Sequence, residues 1–229
     1  MERENRLRSP IIWTATYEQS RRKWRIRFTL TNLFYLVITG CLGFLIFQDG
    51  KTMEFLTLQE NHLEEYKTKA TIYSILRNKG VSLSQGLDIA EVTIRQSKRL
   101  DLPMSLILAV MKKESMFSPS AVSPQNAMGL MQVHPVTWGE YISKLNLNVS
   151  PHAAFDPVTN IIVATHVIRD LYEFYRRREK SESETWNSVL SAYFAGRTSL
   201  SQTGMTESHI RYVADVKRFQ GEFDEQFKN

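Results

Sequence analysis

Twenty consecutive uncharged residues, Phe28 to Phe47, constrain this chain more than any other segment. A helix of about 20 apolar residues is long enough to cross roughly 30 Å of hydrocarbon. The run is apolar on every face, which argues against a helix in the core of a soluble domain. A cleaved signal sequence has a shorter apolar region, about 7–15 residues, followed by small residues of the A-x-A type, which are absent here. Residues 28–47 are therefore predicted to form an uncleaved, single transmembrane helix.

The net positive charge of the chain lies ahead of this segment. Residues 1–27 carry eight Arg and Lys against three Glu, a surplus of five that equals the surplus of the whole chain, 29 basic against 24 acidic residues. The other residues are balanced, with 21 of each sign (29 less 8, 24 less 3), so they have no basic excess to hold nucleic-acid phosphates. Basic residues before a first span keep that end in the cytoplasm. Residues 1–27 are thus predicted to be a cytoplasmic basic tail, with residues 48–229 across the membrane.

Cys41 is the single cysteine, so the chain cannot form an internal disulfide. It follows "ITG", which resembles the lipid-attachment box of bacterial lipoproteins. A lipidated cysteine is expected to precede a polar tether, whereas "LGFLIF" continues the apolar run. A spanning helix is therefore favoured, and a lipid anchor on Cys41 stays as the alternative.

Beyond the membrane the sequence predicts helices. Residues 48–80 are rich in Glu, Lys and Gln and carry apolar residues at loosely heptad spacing, which indicates a helical stem or linker. Over 81–229, apolar residues step by three and four between short polar loops, and no segment alternates as a strand does. Asp156 followed by Pro157 is typical of a helix N-terminus. The predicted class is all-α, with a last helix over about 207–219.

A carboxyl group on an apolar helix face is the first candidate for chemistry. Glu114 lies three residues beyond Met111 and seven beyond Ile107, so helical spacing places it on the apolar face. Lys112 and Lys113 are predicted to face water. Burial and the negative end of the helix dipole would both raise the pKa of Glu114, and an acid that stays partly protonated near neutral pH suits general acid catalysis. A structural Glu bonded to a loop N–H is the alternative on spacing alone.

The loop after this helix offers neutral hydrogen-bonding groups. Ser123 and Gln132 suit amides and hydroxyls, Gly129 permits close approach of backbone, and Met131 provides an adaptable apolar wall. One acid with neutral donors suits a glycan better than a phosphate or a metal. The five His show no metal-ligand spacing, and neither a metal nor another cofactor is expected. No nucleophile-elbow sequence occurs, which argues against Ser/His/Asp catalysis.

Four segments, in order, resemble the lytic transglycosylase family with the goose-type lysozyme-like fold, whose domain is called SLT. The segment "ESMFSPSAVSPQNAMGLMQVHPVTW" contains the family's Glu-Ser, Ser and Gly-Leu-Met-Gln elements, followed by Pro and Thr. The segments "FDPVTNI", "AYFAG" and "TESHIRYVADV" are similar to the family's Tyr-Asp-Pro…Asn-Ile, Ala-Tyr-Asn-Ala-Gly and Glu-Thr…Tyr-Val elements. The resemblance covers about residues 84–219, so the chain is identified as a member of this family.

This resemblance implies a lysozyme-like helical domain at 81–229 that cleaves the MurNAc–GlcNAc β-1,4 bond of peptidoglycan without water. Glu114 would protonate the glycosidic oxygen while the substrate's N-acetyl group attacks the anomeric carbon. Glu114 would then take the proton of the C6 hydroxyl, which closes a 1,6-anhydro ring. The acetamido group thereby replaces the second carboxylate that most glycosidases need.

The family pattern also implies substrate-binding residues. Ser123 and Gln132 would hold the acetamido group and sugar hydroxyls, Met131 would line the −1 region, and Tyr193 would position Glu114 or the sugar. Core packing is the alternative role for Met131 and Tyr193. The implied location is the bacterial inner membrane with the domain in the periplasm, facing peptidoglycan glycan strands. The role stays open between wall turnover and local clearance for a secretion or motility apparatus.

Two residues depart from the family pattern. Asn126 stands where many members have Gly, and Asn tolerates left-handed backbone. Phe194 replaces the Asn after Tyr193, which removes a polar group near the cleft.

Two other functions are alternatives to a lytic transglycosylase. A muramidase that hydrolyses the same bond would require a second carboxylate or a placed water. The other alternative is an inactive peptidoglycan-binding module.

Overall fold

The computed structural model describes residues 10–79 and 81–228, which are predominantly helical. The helices are α1 (Pro10–Leu76), α2 (Leu83–Leu100), α3 (Met104–Ser115), α4 (Pro135–Lys144), α5 (Pro157–Tyr175), α6 (Glu182–Ala195), α7 (Arg197–Thr203) and α8 (Glu207–Lys228), with 3₁₀ turns at Arg77–Lys79 and Pro151–Phe155. Over these ranges the extended pairing is limited to two isolated bridges, Val122 with Met128 and Met128 with Val133. The all-α prediction is confirmed.

The chain divides after Leu63 into two compact units, and the first is the greater part of α1. Every side chain from 31 to 63 is exposed, including the large apolar Phe34, Phe44 and Ile46. By length and composition, α1 from Thr31 onward could cross a membrane. An exposed apolar surface of this extent suits hydrocarbon better than water. Residues 1–9 of the predicted cytoplasmic tail lie outside the described residues, and its remainder belongs to α1.

The second unit begins at Glu64, ahead of the boundary predicted at residue 81. Ile72 and Leu76 are fully buried, and Tyr73 lies so close to Gly86 of α2 that a Cβ on Gly86 would stand 2.6 Å from its ring. The end of α1 therefore packs within the second unit. Loose heptad spacing predicts an apolar face on a helix but does not identify the element that packs against that face.

α5 is the central helix of the second unit, and α2, α4 and α6 pack against it. Its inward residues Ile161, Ala164 and Ile168 are fully buried. The predicted cap is confirmed, because Oδ2 of Asp156 accepts from the N–H of Thr159 at 2.9 Å. α3 and α6 both contact α8, so the chain-distant helices α3 and α8 lie side by side.

α8 extends to Lys228, nine residues beyond its predicted end near 219. Phe219, Phe223 and Phe227 recur at every fourth residue and pack on the core. Phe223 is almost fully buried and meets Phe117 edge-on, with ring centroids 6.2 Å apart. The predicted end was wrong because this aromatic stripe continues the helix past the family segment.

α8 also determines the surroundings of two lysines of α3. Nζ of Lys112 lies 2.6 Å from the carboxylate of Glu222, and Nζ of Lys113 lies 2.7 Å from that of Asp215. Both lysine side chains are only partly exposed, so the prediction that they face water is wrong. α8 covers the face of α3 that helical spacing alone leaves open to solvent.

Candidate active site

Glu114 lies in the last turn of α3, which ends where Met116 takes a left-handed backbone with φ 53°. The Glu114 side chain is half-buried, and the hydroxyl of Tyr212 on α8 donates to its Oε1 at 2.5 Å. Burial raises the pKa of Glu114 from its ordinary 4.5 to about 7, although the Tyr212 bond and the charge of Lys113 both lower it. At neutral pH a large share of these carboxyl groups therefore carries a proton, and the remainder is ionised.

Tyr212 is the residue that orients this carboxyl group. It is buried, and burial together with the charge of Glu114 holds the pKa of its phenol well above the ordinary value. Its hydroxyl therefore keeps its proton throughout the range in which Glu114 titrates. A bond from a neutral donor to one carboxylate oxygen leaves the other oxygen available for chemistry.

The loop between α3 and α4 is fastened to the helix that carries the acid. Oγ of Ser115 donates to the carbonyl of Leu130 at 2.7 Å and accepts from the N–H of Ser118 at 3.2 Å. The loop also contains Asn126 with φ 59°, so the expectation that Asn tolerates left-handed backbone at this position is confirmed. The Glu-Ser pair thus joins the acid and the loop covalently and by hydrogen bonds.

Gly129 and Asn160 hold the Gly-Leu-Met-Gln segment against α5. Gly129 has φ 77°, and a Cβ on it would stand 2.2 Å from the carbonyl oxygen of Ala154. The buried Asn160 amide donates to the carbonyls of Met128 (3.0 Å) and Ala154 (2.9 Å) and accepts from the N–H of Met131 at 2.8 Å. A buried amide with three such bonds fixes the loop backbone in one position.

Ser123 and Gln132 hold the loop together and each keeps one polar atom unused. Oγ of Ser123 accepts from the N–H groups of Gln125 (3.2 Å) and Ala127 (3.0 Å). Nε2 of Gln132 donates to the carbonyls of Ala121 (3.0 Å) and Gly129 (2.8 Å). Within the part of the chain that the structure describes, the hydroxyl hydrogen of Ser123 and Oε1 of Gln132 bond to no protein group. One donor and one acceptor thus stay free on half-buried side chains.

Met131 and Tyr193 are placed by the core. The Met131 side chain has no exposed surface, which favours packing, its alternative role, over a position in the wall of a sugar site. The hydroxyl of Tyr193 donates to the carbonyl of Met131 at 2.7 Å. Burial and the charge of Glu114 raise the pKa of Tyr193 well above its ordinary value. The charge of Glu114 therefore acts on this phenol, while the hydroxyl itself bonds to the loop.

Phe194, which replaces the family Asn, stacks on the tyrosine that holds the acid. The ring centroids of Phe194 and Tyr212 lie 4.7 Å apart at an interplanar angle of 24°. The Phe194 ring also meets the His209 ring edge-on, with centroids 5.8 Å apart. The Phe194 side chain is nevertheless 45% exposed. An apolar ring is therefore presented to solvent beside the Glu114–Tyr212 pair.

Two carboxylates of the matched segments, Asp156 and Asp215, are engaged with groups other than Glu114. Asp156 caps α5, and its Oδ2 also accepts from Oγ1 of Thr159 at 2.6 Å. Asp215 bonds to Lys113 and Arg218, which hold its pKa below the ordinary value. Among the described residues, no group of three His, Cys, Asp or Glu could hold a metal ion.

Sequence reasoning missed two residues of this site, Tyr212 and Asn160. Both stand in matched segments, "TESHIRYVADV" and "FDPVTNI", and both are polar residues at inward positions of an amphipathic helix. That combination was the available signal, because a buried polar side chain requires a specific partner. The identity of each partner depends on how α8 and α5 pack.

Comparison with known proteins decides the family. Residues 91–211, more than half of the chain, match the family model of the transglycosylase SLT domain. The chain belongs to this family. The predicted resemblance is thereby confirmed over most of its predicted extent.

Curated relatives of this SLT-domain chain are membrane-bound lytic murein transglycosylases C. The protein of Mannheimia succiniciproducens is 32% identical over 154 residues, covering 65% of this chain and 38% of the relative. That of Glaesserella parasuis is 37% identical over 107 residues, covering 45% and 29%. The chain thus spans less than two fifths of the length of these relatives.

Solved structures share the fold of the SLT-domain chain. An inactive variant of lytic transglycosylase Slt from Pseudomonas aeruginosa aligns with a TM-score of 0.53 at 20% identity, over 60% of this chain and 24% of that one. A 70-kDa soluble lytic transglycosylase in complex with bulgecin A aligns with the same TM-score and identity, over 74% and 29%. At this identity the likeness establishes the helical fold.

Proposed function

We propose that this chain is a peptidoglycan lytic transglycosylase that cleaves the MurNAc–GlcNAc β-1,4 bond and leaves 1,6-anhydroMurNAc ends. The observation that carries the proposal is the state of Glu114. This carboxyl is half-buried, is oriented by Tyr212 and has a pKa of about 7. A group with that pKa can act as an acid in one step and as a base in the next at neutral pH.

In the first step Glu114 gives its proton to the glycosidic oxygen as the C1–O bond breaks. The carbonyl oxygen of the 2-acetamido group forms a bond to C1 and produces an oxazolinium intermediate. In the second step the ionised Glu114 takes the proton of the C6 hydroxyl, whose oxygen displaces the acetamido oxygen from C1. The carboxyl ends as it began, no water is consumed, and a single acid serves both steps.

Two free polar atoms support recognition of the acetamido group. The hydroxyl hydrogen of Ser123 can donate to the acetamido carbonyl, and Oε1 of Gln132 can accept from its N–H or from a sugar hydroxyl. Because the remaining bonds of both side chains lie within the loop, these atoms are held in place before substrate arrives. Tyr193 would contribute indirectly, through its bond to the loop carbonyl of Met131.

A muramidase is the main rival, and the engagement of Asp156 and Asp215 speaks against it. The test is the composition of products from purified peptidoglycan digested in oxygen-18 water and analysed by mass spectrometry. Lytic transglycosylation predicts 1,6-anhydroMurNAc ends without the label. Labelled reducing ends would establish hydrolysis, and absence of any product would favour the inactive binding module.

We also propose that residues 28–47 anchor the chain in the bacterial inner membrane, with residues 1–27 in the cytoplasm and the SLT domain in the periplasm. The charge asymmetry around the apolar run supports this orientation. A reporter active only outside the cytoplasm, fused after the last residue, is expected to be active. The anchor would confine cleavage to the wall nearest the membrane, which suits wall turnover or clearance for a secretion or motility apparatus.

The type of anchor is tested separately at Cys41. For a spanning helix, Cys41→Ser leaves the intact mass, apart from the exchanged atom, and the membrane attachment unchanged. Detection of a diacylglyceryl adduct on Cys41 with loss of residues 1–40 would instead establish the lipid anchor.

A further inference from the structure

An open cavity of about 500 Å³ lies where α5, α6 and α7 meet. Its lining combines two guanidinium groups, one carboxylate and apolar surface; the members that matter are Phe174, Arg178, Glu179, Arg197, Leu200 and Met205. None of these residues takes part in the Glu114 site. The cavity is therefore separate from the residues of the Glu114 site.

The two arginines flank a single aromatic ring. The guanidinium carbons of Arg178 and Arg197 lie 3.7 and 4.9 Å from the centroid of Phe174. Arg178 also donates from one guanidinium nitrogen to the carbonyl of Phe174 at 2.6 Å, so this nitrogen has one fewer N–H for a ligand. Stacking on a ring fixes the plane of a guanidinium while leaving its N–H edge open to a ligand.

Arg197 has no acidic partner within the described part of the chain, where it makes neither an ion pair nor a side-chain hydrogen bond. Glu179, the one carboxylate of the lining, accepts from Oγ of Ser188 at 2.7 Å. The lining thus carries one net positive charge, and the Arg197 guanidinium has no ion-pair partner among the described residues. Two parallel N–H groups of a guanidinium match the two oxygens of a carboxylate.

Chain connectivity links this cavity to the surroundings of the acid. Arg197 follows Phe194 by three residues, and three residues span at most roughly 11 Å. The Phe194 ring stacks on Tyr212, whose hydroxyl bonds to Glu114. Residues 194–197 thus connect the surroundings of the acid to the cavity through one short segment of chain.

We propose that this cavity binds a free carboxylate of the peptide that peptidoglycan strands carry on their muramic acid, with Arg197 as the bidentate partner. The inference rests on the proposed function and extends it from the glycan to its peptide. A peptide of four residues spans at most roughly 14 Å, which exceeds the roughly 11 Å that can separate the Cα atoms of Phe194 and Arg197. Leu200 and Met205 provide apolar surface for small aliphatic side chains of that peptide.

The test compares two substrates with the full chain in detergent: intact glycan strands, and strands from which an amidase has removed the peptides. For Arg197→Gln, the ratio of kcat/KM on intact strands to that on stripped strands is expected to fall about tenfold relative to wild type. Arg177→Gln, an exposed neighbour outside the cavity, is the matched control and keeps the wild-type ratio. Titration calorimetry with a free N-acetylmuramyl peptide is expected to show the same tenfold weakening for Arg197→Gln.

The outcomes separate the two proposals. If wild type cleaves both substrates and Arg197→Gln changes kcat/KM on both equally, the peptide site is refuted while the proposed function stands. If wild type forms no anhydro product from either substrate, the proposed function fails. In that case the calorimetric comparison still decides, because equal peptide binding by wild type and Arg197→Gln refutes the site on its own.

Discussion

Replacement of Glu114 by Gln tests the proposed chemistry and the burial of the acid together. The change keeps size and hydrogen bonding, and the hydroxyl of Tyr212 can still donate to the amide oxygen. Gln cannot release or take up a proton, so both half-reactions lose their acid or base. General acid–base groups contribute about 10²–10⁴-fold each, so the expected loss of kcat lies at or beyond about 10⁴-fold.

The same variant is expected to be more stable than wild type above neutral pH. The folded-state pKa of Glu114 is raised from 4.5 to about 7, so the folded state binds the proton more tightly than the unfolded state does. Wild type therefore loses stability as pH rises from about 4.5 to 7 and regains none above it. The full shift corresponds to about 3 kcal/mol, and partial exposure of the side chain reduces the expectation to about 1–3 kcal/mol.

Thermal unfolding of the full chain in detergent measures this difference. At about 2–4 °C per kcal/mol for a domain of this size, Glu114→Gln should raise Tm by about 2–12 °C at pH 8. Near pH 4.5, where wild type is protonated in the folded state, the two Tm values should converge. A Tm difference that does not depend on pH would refute the burial argument. Anhydro product formed at the wild-type rate would refute the single-acid mechanism.

Three further substitutions test the surroundings of the acid. Tyr212→Phe removes a bond that lowers the pKa of Glu114, so the alkaline limb of the pH–rate profile should move to higher pH. Its kcat should also fall about 10- to 100-fold, since a hydrogen bond to a charged group contributes about 1.5–3 kcal/mol. Phe194→Asn removes the stack on Tyr212 and should lower kcat about 2- to 10-fold, with Phe194→Tyr as a control that keeps the ring. An unchanged kcat would show that the stack does not position Tyr212. Gly129→Ala should cost more than about 2 kcal/mol of unfolding free energy in denaturant titrations, because positive φ and contact with Ala154 both oppose a Cβ. Gly139→Ala on α4, where a Cβ meets open space, should cost nothing, and equal midpoints for the two variants would contradict the packing described.

Properties that depend on neighbours in the chain could be predicted from the sequence. The apolar run of residues 28–47, the charge asymmetry before it and the helical class follow from local periodicity and composition. The cap at Asp156 is equally local, because its bond reaches Thr159 three residues away. The inward position of Glu114 followed from helical spacing, and its raised pKa followed from burial.

Properties that depend on which surfaces meet required the tertiary structure. The partner of Glu114 lies 98 residues away on α8, and the partner of Lys113 is 102 residues away on the same helix. The end of α1 packs with the second unit because Ile72 and Leu76 are buried in its core. A heptad-like spacing predicts an apolar face but not the surface against which that face packs. Spacing specifies that a face is apolar, whereas burial, pKa and hydrogen-bond partners arise when that face excludes water against another helix.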